Sequence, residues 1–169
     1  MFREMRRAGQ ALAAGDCEEI LQKHGEGVLA VLGDDGYPYA VPLNYVYVDG
    51  KLVMHGARVG HKVDAMRACD KVSFCVIDEK TVVPEEYSTA YRSVIVFGRV
   101  KILTEPEEML PYLDALGAKF TKDDAAARMA YMKPHLAGVA IYVLTPEHVS
   151  GKEGRLLAAE RKRPCTSTD

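Results

Sequence analysis

The chain has 169 residues, 48% hydrophobic and 27% charged, with a formal net charge of −2. That is enough for one domain burying roughly 70% of its unfolded surface without disulfide staples. The near-neutral balance argues against a nucleic-acid partner. No apolar run reaches the ~20 residues of a membrane-spanning helix. One domain over 1–169 is expected, with a core of about 16–152 and a charged tail at 153–169.

The cysteines Cys17, Cys69, Cys75 and Cys165 include no CxxC pair. A reduced, cytoplasmic chain is the simplest reading. Arg3, Arg6 and Arg7 begin like a signal peptide, but the segment Ala8 to Asp16 holds Gly and Gln and no bulky apolar run.

In chain order, Asp16 with Glu19 forms a capping box that predicts a first helix, with Ile20 and Leu21 on its apolar side. Val28 to Leu32 reads as a strand ended by Asp35-Gly36, a hairpin signal. The return strand runs from about Pro38 to Val48. Its odd positions, Tyr39, Val41, Leu43, Tyr45 and Tyr47, are all apolar or aromatic, which is period two. Asp49-Gly50 turns into a third strand, Lys51 to His55. Pro42, in the middle of the second strand, cannot donate to a ladder and marks an edge or a bulge.

A short helix is expected over Val63 to Ala68 and a fourth strand over Lys71 to Ile77. Asp78 to Ala90, with Pro84, Glu85 and Glu86, reads as a loop. A long fifth strand spans Tyr91 to Ile102, with Gly98 at a bulge. Thr104 and Glu107 predict a capped helix with Pro106 in its first turn, and helical signal continues in patches to Met132. Gly138 to Leu144 is the sixth strand. A short helix at Arg155 to Arg163 falls in a tail read as a solvated or partner-contacting arm. These elements add up to a mainly β (α+β) fold, a six-stranded, mostly antiparallel small barrel with peripheral helices.

The segment His55-Gly56-Ala57-Arg58-Val59-Gly60-His61-Lys62 carries the chemistry. It leaves a strand, passes two glycines and enters a helix. Glycine admits close approach of a ligand, and a helix N-terminus attracts anions. Arg58, His61 and Lys62 add positive charge where it opposes the helix dipole, at a cost of about 0.3–1 kcal/mol each. An anion between them, a phosphate or carboxylate, accounts for that cost. His55 and His61 lack the partners that would complete a metal shell, so no metal is expected.

Four segments together resemble a known family. They are Gly36 to Tyr45, His55-Gly56-Ala57 with Gly60-His61-Lys62, Lys71 to Phe74, and Tyr91 to Gly98. In this order and spacing they are similar to the nitroimidazole-resistance (Nim) family, a branch of the pyridoxamine 5'-phosphate oxidase-like FMN-binding split barrels. The resemblance covers about Asp16 to Lys152. It implies a split barrel and a homodimer with FMN in clefts between the subunits. By position it implies that Tyr39, Val41, Pro42, Leu43 and Asn44 line the flavin. It further implies that His55, Gly56 and Ala57 follow the flavin from the next strand, that His61 and Lys62 hold the phosphate, and that Ser93 adds a contact. Gly151 and Lys152 match the family's closing segment. The function implied is a flavin-dependent reductase of small electron-poor molecules, nitro compounds among them, with NADH or NADPH as a transient donor. His55 would contact the substrate or supply a proton. A non-catalytic flavin- or haem-binding storage protein is the alternative, and a deazaflavin user a third. Nine Tyr and four Phe are present but no Trp. Pyridoxamine phosphate oxidases close with a motif resembling Arg-x-x-x-Trp, which the segment Gly151 to Asp169 lacks.

Overall fold

A computed structural model describes residues 2–161. Six antiparallel strands close into a barrel in the order β1-β2-β3-β6-β5-β4. They are β1 (Glu26–Leu32), β2 (Pro38–Val48), β3 (Lys51–Ala57), β4 (Lys71–Val83), β5 (Ser88–Leu103) and β6 (Val139–Glu153). The helices are α1 (Ala14–Lys23), α2 (His61–Ala68), α3 (Pro106–Phe120), α4 (Ala125–Met132) and α5 (Arg155–Arg161). No helix among the described residues is long and apolar enough to cross a membrane.

The turns follow the sequence. Asp49 and Gly50 both have positive φ, the geometry that twists a two-residue hairpin correctly, and Asp35 and Gly36 have positive φ at the tip of the longer connection from Leu32 to Pro38. The alternation in β2 is also as read: Tyr45 is fully buried and Leu43 packs on the core, while Pro42 and Asn44 are exposed. Inside the barrel Leu29, Tyr45, Phe74, Val94 and Tyr142 are among the buried residues. The Tyr45 and Phe74 rings meet edge-on at 5.1 Å. The Tyr45 hydroxyl donates to the Leu21 carbonyl at 2.9 Å, tying α1 to the barrel. A second core lies outside, where α3 covers Val53 of β3 and Ile141 and Val143 of β6.

Several elements differ from the sequence reading. Asp78 to Ala90 is no loop: Glu79–Val83 pairs with Ser88–Arg92 and extends the β4–β5 hairpin. Its residues show no alternation because mostly polar side chains serve both faces of a ribbon with little packed on it. Asp16 does not cap α1; it is the third residue, and its carboxylate accepts the Ala13 amide at 3.2 Å. Thr104 likewise caps nothing, since α3 starts after Glu105 without a side-chain cap. The segment after Gly151 is not a solvated arm over the described residues. β6 runs on to Glu153, which is fully buried against Arg161 at 2.7 Å, and α5 buries Leu157 and Ala158. The last two residues of the helix expected to reach Arg163, and Cys165, lie outside the described residues. Gly98 sits at a register shift between β5 and β6, as expected.

Candidate functional site

The barrel is not paired all the way round. β2 and β3 pair only over Tyr45–Val48 and Lys51–Met54. Before Tyr45, β2 stays with β1. After Met54, β3 stays with β6 through Ala57. The two strands therefore part, and a split opens between Pro38–Asn44 and His55–Ala57.

Strand alternation decides which peptide groups face that split. The Tyr45 amide donates to the Gly25 carbonyl at 2.8 Å, on the β1 side. Neighbouring peptide groups point to opposite edges. The peptide groups of Pro38, Ala40, Pro42 and Asn44 therefore face the split. Pro42 places its missing N–H on the open edge and costs the β1–β2 ladder nothing. Tyr39, Val41 and Leu43 turn their side chains towards the barrel and their peptide groups to β1. Asn44 is exposed, with only a long 3.4 Å contact from its amide nitrogen to the Gly25 carbonyl.

On the opposite edge, Gly56 answers to packing. A Cβ there would lie 2.6 Å from the Tyr142 hydroxyl. That hydroxyl donates to the Ala57 carbonyl at 2.5 Å. Burial holds the Tyr142 phenol above its ordinary value. Tyr142 was invisible to sequence reasoning as a support of the site, because Val139 to Leu144 is a continuous apolar run in which no alternation marks the inward side.

The split leads to α2. Gly60, with φ of +117°, ends the approach, and its carbonyl accepts the amides of Val63 and Asp64. No side chain caps the helix start. Lys62 is half-buried there and has no ion pair among the described residues. The acid on its helix, Asp64, pairs instead with Arg67 at 3.6 Å. His61 is more committed: its ring stacks on Tyr39 with centroids 4.2 Å apart, and its Nε2 lies 3.5 Å from an Asp34 carboxylate oxygen. The pair brings α2 and the start of β2 together across the mouth of the split.

Arg58 does not join this cluster. Its Nε donates to the Val139 carbonyl at 2.9 Å, and its Nη2 to the carbonyls of Thr104 and Leu136 at 2.8 and 2.9 Å. It is a brace between β3, the start of α3 and the segment before β6. The anion reading of its charge is corrected accordingly. A planar fork with several donors suits three converging carbonyls better than it suits one phosphate.

His55 points out of the barrel, on the face of Val53. Its imidazole, without a hydrogen-bond partner among the described residues, borders a cavity of about 300 Å³ walled by α3 and α4. Its residue is exposed to solvent on one side, and partial desolvation against this apolar wall lowers its pKa below the ordinary histidine value. Ser93 is not brought to the split. On β5 it pairs with Ile77 of β4 and Lys152 of β6, three strands round the barrel from β2, about 14 Å along the sheet. No cluster of three or more His, Cys, Asp or Glu suited to a metal occurs among the described residues.

Residues 13–153 match the family described as pyridoxamine 5'-phosphate oxidase. The chain belongs to that family. Solved structures agree on the pyridoxamine 5'-phosphate oxidase fold. A protein from Bacteroides thetaiotaomicron VPI-5482, provisionally assigned as a 5-nitroimidazole antibiotic resistance protein, is 22% identical with a TM-score of 0.72, covering 85% of this chain and 86% of its own. A FAD-binding protein from Mesorhizobium loti is 26% identical with a TM-score of 0.65, covering 85% and 95%. The FAD and heme binding protein of Mycobacterium smegmatis is 21% identical with a TM-score of 0.75, covering 92% and 81%. The comparison with curated proteins returned no match. The family reading of the sequence is thus borne out, and the similarity to the Bacteroides protein extends the likeness to the fold of a nitroimidazole-resistance relative.

Proposed function

We propose that this chain binds FMN in the split and acts as an oxidoreductase on small electron-poor molecules, nitroaromatic compounds among them. The observation that carries the reading is the split itself: two unpaired strand edges that end on a helix start with an unpaired, half-buried lysine. A flavin has those two parts, a ring with a polar edge and a phosphate. The peptide groups of Ala40, Pro42 and Asn44 on one side, and of His55 on the other, offer hydrogen-bonding groups to a ring edge. Lys62 and the first-turn amides of α2 offer charge and donors to a phosphate. His61, held by Tyr39, closes the mouth beside them. Bound flavin would supply the two-electron chemistry, which belongs to the cofactor. His55 would touch the bound partner and, uncharged at neutral pH, accept or return a proton through its imidazole. The Mesorhizobium and Mycobacterium relatives, named for FAD, lend support to a flavin in this family.

The reading includes a homodimer. The outer face of β1, β4 and β5 carries Val28, Leu32, Ile77, Ile95 and Phe97 exposed and largely uncovered by helices. A contiguous apolar patch of this kind fits a protein interface. A second copy laid on it is also the route by which Ser93, remote from its own split, would approach a flavin. NADH or NADPH would bind transiently as donor, and the cytoplasm is the compartment that free thiols suit.

The test is a spectrum of the purified protein, with extraction of the cofactor and its mass. Flavin bands, bleached anaerobically by NADH or NADPH and restored by a nitroimidazole, are expected. A colourless chain that takes up neither FMN nor FAD overturns the reading. Flavin that binds without cycling leaves a storage protein, and a Soret band leaves haem. Lys62→Ala should weaken FMN binding about tenfold or more at unchanged thermal stability.

A further inference from the structure

The cavity beside His55 has a character that the split does not share. It lies between β3 and the α3–α4 pair, with a volume of about 300 Å³. Leu113, Leu116, Phe120, Met132 and Leu136 give it apolar walls. The one cation at its rim, Arg128, is spent: its Nε pairs with Asp114 at 2.8 Å and its Nη1 donates to the Asp123 carbonyl. Asp123 is exposed to solvent. Besides the hydroxyls of Thr121 and Tyr131, both on exposed residues, two imidazoles are the remaining polar side chains. His135 stacks on Tyr131 with centroids 5.0 Å apart and uses Nδ1 on the Tyr131 carbonyl at 2.8 Å. His55 has no partner among the described residues. Partial desolvation favours its neutral form, which offers one donor and one acceptor.

We propose that this cavity binds an uncharged, planar aromatic molecule of one or two rings, held by its apolar walls and oriented by a hydrogen bond to His55. Size and charge both select that class. An apolar cavity of about 150 Å³ takes one benzene ring, so twice that volume takes one or two. An anion would enter apolar walls whose one arginine is already paired, which is costly, and the one carboxylate, that of Asp123, sits at the solvent-exposed rim and not among the walls. His55 also belongs to the strand edge that borders the split. The occupant is therefore placed to meet whatever the split holds. Its role as the flavin's reaction partner rests on the function proposed above, whereas the site itself does not.

The experiment titrates the full-length purified chain with 2-naphthol, which is uncharged at neutral pH, and follows His55 imidazole signals and the methyl signals of Leu113, Met132 and Leu136 by NMR. Saturable shifts of these groups are expected. Leu136→Trp, which fills the cavity from a half-buried position, should weaken binding at least tenfold, and His55→Ala several-fold. If Leu136→Trp lowers the melting temperature sharply, Met132→Trp replaces it. Shifts centred elsewhere, as on Phe97 and His148, overturn the site, as does binding indifferent to the filling variant. A chain that carries flavin but gives no saturable 2-naphthol shifts overturns this proposal and leaves the flavin reading standing. A chain that binds 2-naphthol here without ever taking up flavin upholds the site and removes the flavin reading.

Discussion

The β4–β5–β6 wall and the β2–β3 split are built from the same kind of strand and end in opposite states. In the wall, β4 and β5 pair from Lys71 and Arg99 out to Val83 and Ser88, and β5 and β6 pair from Leu103 and Ile141 to Arg92 and Glu153. In the split, pairing stops after four residue pairs. A ladder satisfies its own peptide groups, whereas parted edges need another partner. The wall therefore carries stability, and on the function proposed above the split carries recognition. The barrel tolerates the break because closure through β1 and β6 holds both parted strands from behind.

Three changes would break or sharpen this contrast. The largest effect is expected from Gly98→Val, in the wall. A Cβ at Gly98 would lie 2.1 Å from the Thr145 carbonyl oxygen, a backbone atom that cannot swing aside. Destabilisation of more than about 3 kcal/mol is expected in urea unfolding. A loss below about 1 kcal/mol would mean that the wall bends freely.

Arg58→Ala comes next, on the roof beside the split. It leaves the carbonyls of Val139, Thr104 and Leu136 without their shared donor. A loss of about 2 kcal/mol is expected, with faster hydrogen exchange concentrated in α3 and α4. Arg58→Lys should not restore it, because a single ammonium cannot reproduce the fork. Exchange that rises evenly across the wall would contradict a local brace.

The smallest effect concerns Asp78, the extra residue where β4 shifts register between Ile77 and Glu79. Burial alone would raise its carboxyl. Hydrogen bonds from His24 and Lys23 outweigh that and hold it below its ordinary value of 3.8. The folded state thus binds fewer protons than the unfolded chain. Its stabilisation is present above the ordinary value and fades as pH falls through the folded one. Asp78→Asn should cost about 1 kcal/mol at neutral pH. The difference from the native chain should shrink in acid below the ordinary value, as read by thermal melts across pH. A gap that widens in acid would reverse the assignment.

Much of the molecule was legible in the residues. Period two in Tyr39 to Tyr47 and the Asp-Gly turns depend on contacts close in sequence and appear as read, and Gly98 betrays its bulge through its residue type although the partner strand is distant. The polar ribbon at Glu79–Val83 and Ser88–Ala90 was not legible, because strands with little packed on them have no alternation to show. Lys62 stands at a helix start, as its place after Gly60 suggested. Arg58, two residues before that glycine, faces the other way. One-dimensional spacing brought them together, but side-chain direction separates them.

The sequence by itself determined the order of the six strands, the Asp-Gly turns and the family, since each of these rests on local pattern or on motif. Only the tertiary structure decided where β2 leaves β3, which edge the Pro42 nitrogen faces, what Arg58 braces, and that His55 borders an apolar cavity under α3 and α4. Those outcomes depend on register between strands and on helices packed from far along the chain. Neither leaves a mark in the spacing of neighbouring residues.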